Sequence, residues 1–281
     1  MKRGTLLNNQ KTAAANPRDR LLKRRLMVEF STTESTLSID DTVQYAVLHH
    51  FASAFPTLSS STLPNNPITF ASLAFERLFS EREASWEFAH DLSREERVID
   101  GGCSTSLGYG EILPETVFQI LACIKDRHGG LREGPQVVWD LGSGSGRVLF
   151  AANLIHPFKE AHGIEYLGSL HKIAQENLRR WNASFSPSPC SFFFSCGDIS
   201  KIDGYKLSPS PTLLICHATL FDNDLFAAVQ LIAENCEVGS TFVMVTRELR
   251  TGTKTGIETL SLRQWPMSWG KSVTVYIQRR V

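Results

Sequence analysis

The run Asp140-Leu-Gly-Ser-Gly-Ser-Gly146 constrains this chain more than any other stretch. It follows directly on the apolar segment Gln136-Val-Val-Trp and precedes a helix-periodic segment from Arg147 to Ile155. Three alternating glycines at that point let the backbone turn sharply, adopt positive φ and approach a ligand closely. A buried strand, a glycine turn and a helix in succession open an α/β unit. Strands joined through such crossover helices lie parallel.

The same alternation runs on. Glu111 to Asp126 reads as a helix, and residues 136–140 as the first strand. His162-Gly-Ile-Glu165 ends a second strand, followed by a helix from Leu167 to Trp181. Ser191–Cys196 is a third strand and Thr212–Cys216 a fourth, with a helix from Asp222 to Asn235 behind it. Thr241–Val245 is a fifth, and runs near Glu258–Leu262 and Ser272–Ile277 pair as a terminal antiparallel hairpin. The expected fold is therefore α/β, a Rossmann-like seven-stranded sheet over residues 109–281.

Residues 29–108 form an N-terminal helical extension by the same reading. Val43, Val47, Leu48, Phe51 and Phe55 fall at helical spacing, as do Phe70, Leu73, Ala74 and Leu78. A turn-rich stretch, Ser59–Pro67, separates them. The charged segment Glu81–Asp100 continues as helix, and a Gly/Ser/Thr-rich loop ends at Gly110. Residues 1–28 are basic and weakly periodic, which predicts a flexible tail.

The 29 Lys+Arg and 29 Asp+Glu cancel over the 281 residues. Divided by segment, residues 1–28 hold eight bases and one acid, 29–135 seven and sixteen, and 136–281 fourteen and twelve. Overall neutrality thus excludes a uniformly basic nucleic-acid binder and leaves room for a local contact through the basic arm. The arm reads as a nuclear import signal, a nucleic-acid contact or an Arg-rich mitochondrial presequence. No apolar run approaches the length of a membrane span, so no membrane partner is expected. The six cysteines form no C-x-x-C pair and no metal-ligand spacing, which implies free thiols in a reducing compartment, nucleus or cytoplasm.

Chemistry enters with the strand-end acids. The glycine spacing is G-x-G-x-G, not the G-x-G-x-x-G of pyrophosphate cradles, and Asp140 stands two residues before the first glycine. Asp140 suits the cationic amino-acid end of S-adenosylmethionine. Glu165 closes the second strand, where a carboxylate accepts from both ribose hydroxyls. Asp198 follows the third strand and suits the adenine amino group, with Ile199 packed on the ring. Three acids at consecutive strand ends beside a glycine turn imply an S-adenosylmethionine-dependent methyltransferase.

Tyr109-Gly-Glu-Ile-Leu-Pro114, then a helix, then Val138-Trp-Asp-Leu-Gly-Ser-Gly-Ser-Gly146, resembles the DOT-type histone lysine methyltransferases. Ser268-Trp-Gly-Lys-Ser-Val-Thr-Val-Tyr276 is similar to the last hairpin of that family. The resemblance covers residues 100–281 and implies the class I methyltransferase fold, S-adenosylmethionine as cofactor and a core histone in the nucleosome as substrate. Carried over, Tyr109 and Glu111 would contact the methionyl part of the cofactor. Asp140, Gly142, Ser143 and Gly144 would form the glycine turn, with Glu165 on the ribose and Asp198 and Ile199 at the adenine. Phe221, Trp269 and Tyr276 would line the channel for the target amine.

The chain departs from the family in two segments. Its Asn-Asn-Phe-x-Phe segment near the transferred methyl is here His217-Ala-Thr-Leu-Phe221, and a helix-start glutamine is replaced by Arg147. His217 would then act as a base for the amine, as a hydrogen-bonding substitute for the asparagine beside the cofactor, or as a satisfied polar residue at a strand end. The altered segment leaves two other readings open. One is a non-histone protein or small-molecule acceptor; the other is a catalytically silent S-adenosylmethionine-binding interaction module.

Overall fold

The computed structural model describes residues 67–99, 108–185 and 188–281. The basic segment 1–28, the expected helix around 43–55, most of the turn-rich stretch and residues 100–107 lie outside the described residues.

The chain enters through two helices, α1 (Pro67–Leu78) and α2 (Trp86–Ile99), with a short turn Arg82–Ala84 between them. Ser85 caps α2, its hydroxyl accepting from the Phe88 amide at 3.2 Å. Helix α3 (Pro114–His128) carries proline at its start, where the missing N–H has no intrahelical partner to lose. It ends on Gly129 in the left-handed region. Then follow β1 (Val137–Leu141), α4 (Arg147–Ile155), β2 (Glu160–Glu165), α5 (Gly168–Ser184), β3 (Ser191–Cys196), β4 (Leu213–His217), α6 (Asn223–Asn235) and β5 (Thr241–Val245). The chain closes with β6 (Ile257–Met267) and β7 (Gly270–Arg280).

The seven strands form one sheet in the order β3-β2-β1-β4-β5-β7-β6. β1 to β5 are parallel, β7 runs antiparallel to β5, and β6 pairs antiparallel with β7 at the edge. β1 and β5 are buried along their whole length, as an apolar strand covered on both faces must be. This is the expected α/β, Rossmann-like class I methyltransferase sheet. Both hairpin strands run longer than the periodicity marked. Their exposed polar residues and two register shifts, at Thr259/Ser261 and Trp265/Met267, dilute the alternation.

Two apolar cores sandwich the sheet. On one face α1, α3, α4 and α5 bring Phe75, Phe118, Phe150 and Trp181 together over Val138, Ile215 and Val243. The described part of the N-terminal helical segment thus shares the core of the sheet. On the other face α6 covers Leu141, Cys216, Phe242 and Met244. Residues Val148 to Leu154 of α4 are all buried, so this helix is central, with Asn153 satisfied by donating to the Leu149 carbonyl.

The described cysteines are free: Cys123, Cys190, Cys216 and Cys236 are buried and Cys196 is exposed. Among the described residues no helix is long and apolar enough to cross a membrane.

Candidate active site

Strand order reverses at β1, where the chain first steps outward to β2 and β3 and then crosses back to β4. Open α/β sheets hold ligands at such a switch, beyond the carboxyl ends of the strands. A cavity of about 380 Å³ lies there, lined by Tyr109, Gly110, Gly142, Glu165, Asp198, Ile199, His217 and Phe221. A volume of this order is within the range of small-molecule sites.

Glu165 ends β2 and is buried. Its Oε2 accepts from the Gly144 amide and its Oε1 from the Leu167 amide, both at 2.8 Å. Burial raises its pKa, and the backbone N–H groups of Leu167, Gly144 and Tyr166 oppose that rise. Asp198 caps the short turn after β3, its Oδ1 accepting from the Ser200 amide at 2.8 Å and the Ser200 hydroxyl at 2.7 Å. Phe221 rests over the glycine turn, its Cζ 3.4 Å from where a side chain on Gly142 would begin.

A narrow pocket of about 20 Å³ adjoins the cavity and shares Tyr109, Gly110, Gly142 and His217 as walls. Asp140, Ser143 and Glu111 line this inner pocket. Burial first, then the charges of Glu165 and Glu111, push the Asp140 carboxyl well above the usual range. The Ser143 hydroxyl is buried over Gly163 and has no hydrogen-bond partner among the described residues. Tyr109 narrows the pocket by folding onto the glycine turn. A Cβ on Gly144 would stand 2.4 Å from Tyr109 Cε2, and Gly144 has φ +54°, so only glycine fits.

The loop is held by Glu111. Its Oε1 accepts from the Tyr109 hydroxyl and from Ser145 Oγ at 2.6 Å, and its Oε2 from Arg147 Nε at 2.9 Å. Arg147 stands at the start of α4, where a cation opposes the helix dipole, and Glu111 offsets that charge. The same guanidinium donates to the Ala84 carbonyl at 2.6 Å and lies 4.8 Å over the Phe75 ring and 5.4 Å over Phe79. Burial and the Glu111 charge raise the Tyr109 phenol well above its ordinary pKa, so it stays a donor.

His217 ends β4 between the two pockets. Its Nδ1 lies 3.0 Å from the Gly110 carbonyl and its Nε2 2.9 Å from Thr219 Oγ1. The ring stacks on Trp269, with centroids 4.2 Å apart and planes 15° from parallel. Burial lowers its pKa to about 4 against the opposing pull of the Gly110 carbonyl, so the imidazole is neutral. Ser268, at the tip of the β6–β7 hairpin, binds Glu111 twice. Its hydroxyl accepts from the Glu111 amide at 2.9 Å, and its amide donates to the Glu111 carbonyl at 3.0 Å. Among the described residues no group of His, Cys, Asp and Glu is arranged to hold a metal.

Residues 102–265 match the family described as histone methylation protein DOT1, a span of more than half the chain. The chain belongs to that family. No curated protein matches its sequence. Solved structures with a similar course include an rRNA methyltransferase from Streptomyces viridochromogenes, 11% identical with TM-score 0.44, covering 65% of this chain and 92% of that one. An S-adenosylmethionine-dependent methyltransferase from Clostridium acetobutylicum is 12% identical with TM-score 0.42, covering 69% and 97%. A glycopeptide N-methyltransferase complexed with S-adenosylmethionine is 14% identical with TM-score 0.40, covering 53% and 90%.

In this DOT1-family chain the geometry bears on several residues expected from sequence. Glu111 lines the inner pocket while its carboxylate accepts from Tyr109, Ser145 and Arg147, and so it also positions the loop. Tyr276 does not line the cavity. Its neighbours Val275 and Ile277 face the first core, so the strand period turns Tyr276 to the second, where it packs against that cluster. Both ring nitrogens of His217 are engaged within the protein, Nδ1 at Gly110 and Nε2 at Thr219. Trp269, 41% exposed, stands on His217 at the rim.

Residues the sequence did not single out also line the cavity: Tyr166 and Leu167 after β2, Gly197 after β3, and Leu225 at the start of α6. Position just past a parallel strand end was the available signal for the first three.

Proposed function

We propose that this DOT1-family methyltransferase is an S-adenosylmethionine-dependent protein-lysine N-methyltransferase, with a core histone in the nucleosome as acceptor. The observation that carries the reading is the cavity itself, which gathers Glu165, Asp198, Ile199 and the glycine turn at consecutive strand ends. Three features fit the cofactor: the orphaned Ser143 hydroxyl, the close backbone approach at Gly142 and Gly144, and the buried Asp140 carboxyl, whose raised pKa a cation would bring down.

Glu165 would hold the ribose hydroxyls, each of its oxygens keeping a lone pair beside the amide it already accepts. Asp198 would use Oδ2 for the adenine amino group while Oδ1 stays with Ser200. Asp140 would meet the amino-acid cation, and Tyr109 would close over it. When bound, the cofactor supplies an electrophilic methyl on a sulfonium. The protein's part is alignment and exclusion of water, since an in-line displacement requires little covalent work from it. The target amine must arrive neutral, and an apolar wall such as Phe221 favours that form by desolvation. Residues 1–28 are proposed as the nucleosomal contact, which should weaken with salt.

Nucleosomes and free histones incubated with labelled S-adenosylmethionine test the acceptor. Methyl uptake by neither would overturn the histone assignment. One observation favours a second acceptor class: of the three aromatics expected along the channel, only Phe221 lines the cavity. A parallel screen of other proteins and small amines tests a non-histone acceptor.

A further inference from the structure

The hydrogen bonds around His217 have only one consistent direction. The Gly110 carbonyl can only accept, so His217 Nδ1 carries the proton and donates to it at 3.0 Å. A neutral ring with a protonated Nδ1 must accept at Nε2, so the Thr219 hydroxyl donates there at 2.9 Å. A threonine hydroxyl has one proton. The contact of 2.8 Å between Thr219 Oγ1 and Thr246 Oγ1 is therefore donated by Thr246.

Thr246 has an unusual backbone. It lies just past β5 at φ +71°, a region that a β-branched residue rarely enters. Its amide is tied to the Thr274 carbonyl of β7 at 2.8 Å. Such conformations persist where the surroundings over-determine them, and they cluster at functional sites. Here the strained turn directs the Thr246 hydroxyl at Thr219. At the other end, Gly110 lies under Trp269 so closely that a Cβ would stand 2.7 Å from the indole. The His217 ring thus holds Gly110 by hydrogen bond and Trp269 by stacking.

From this we infer that Thr246, Thr219 and His217 form a one-way hydrogen-bond chain that latches the Tyr109–Glu111 loop over the cavity. Thr219 and Thr246 are positioning residues for the cofactor and act through the imidazole. The Gly110 carbonyl sets the tautomer, and the two hydroxyls complete the chain at Nε2, which holds the ring in the rotation that reaches that carbonyl. The inference rests on the proposed cofactor reading only through its binding arm.

The test uses the full chain with Thr219→Val, Thr219→Ser and Thr246→Val. Valine keeps the β-branched shape, and at position 246 the backbone strain too, so only the hydroxyl is lost. Long-range nitrogen–proton spectra of the imidazole read the tautomer directly, and calorimetry with S-adenosylhomocysteine reads the closed loop. Wild type should show a single Nδ1–H tautomer. Thr219→Val should keep the Nδ1–H tautomer, shift the unprotonated Nε2 resonance as it loses its donor, and bind S-adenosylhomocysteine about five- to tenfold more weakly, the loss of one hydrogen bond. Thr219→Ser should restore both, and Thr246→Val should weaken binding by a smaller factor.

An unchanged Nε2 resonance and unchanged affinity in Thr219→Val would overturn the chain, as would a serine variant no better than valine. Global destabilisation alone would lower the melting temperature of the valine and serine variants alike without the spectral change, and that result also counts against it. A wild type that binds no S-adenosylhomocysteine would sink the cofactor reading, while the spectra still decide the latch.

Discussion

Replacing Glu111 with alanine removes the acceptor on which the loop, the glycine turn and the N-terminal helices converge. Three donors lose their partner: Tyr109, Ser145 and Arg147. The guanidinium dominates, because its side chain is 12% exposed and that of Glu111 is 8% exposed. Removing one partner of a buried ion pair costs about 3–5 kcal/mol, since the remaining charge is left desolvated. Arg147 keeps its bond to Ala84 and its place between Phe75 and Phe79, which sets the expectation at the lower end, about 3 kcal/mol.

At this chain size 1 kcal/mol shifts Tm by about 2–4 °C, so Glu111→Ala should melt about 6–12 °C lower. Thermal unfolding followed by circular dichroism measures it, alongside Arg147→Ala and the double variant. The double variant should recover part of the loss, with a coupling of about 2 kcal/mol, because it removes the stranded charge. Glu111→Gln, which keeps acceptors for Tyr109 and Ser145, should fall between. A single variant within about 2 °C of wild type, or an additive cycle, would refute the reasoning.

Three further outcomes follow from the same geometry. Gly144→Ala places a methyl 2.4 Å from the Tyr109 ring at φ +54°, so S-adenosylhomocysteine affinity should drop at least about tenfold by calorimetry; unchanged binding would mean that Tyr109 does not pack on the turn. Because the Asp140 carboxyl is raised by burial and by Glu165 and Glu111, docking of the cofactor's cation should release a proton. Calorimetry in buffers of different ionisation enthalpy reads that proton, and identical heats would count against it. Affinity should decline as pH falls through the free-state pKa of Asp140. Without ligand the sign reverses: folded Asp140 holds its proton more tightly than the unfolded chain, so its contribution to stability is lost as pH rises, and Asp140→Asn should flatten that slope. Glu96 of α2 caps α5, accepting from the Gly168 and Ser169 amides at 2.9 Å. Burial raises its pKa, but the Ser169 and Gly168 bonds outweigh that and hold it below the ordinary value. Glu96→Ala should cost about 1 kcal/mol near neutral pH, with the difference vanishing as pH falls through the folded-state pKa; a pH-independent difference in denaturant midpoint would exclude the cap.

The sequence by itself determined the parts of this protein that rest on local order. Strand and helix follow from the period of apolar residues along a few consecutive positions, so β3 and β5 fall on the segments that the pattern marks. The glycine turn is legible for the same reason, since backbone freedom belongs to the residue itself. The three strand-end acids follow from these, because a parallel sheet brings its carboxyl ends to one side. Tertiary structure decided the rest. Glu111 finds Arg147 across 36 positions, Glu96 finds the start of α5 across more than 70, and His217 finds Gly110 across 107. Which donor meets which acceptor depends on how the loops cross above the sheet. An isolated carboxylate or imidazole in a sequence carries no mark of whether it will face a ligand or be consumed within the fold. Tyr276 turned to the core, Glu111 bound within the protein and His217 fixed in one tautomer are all outcomes of that closure.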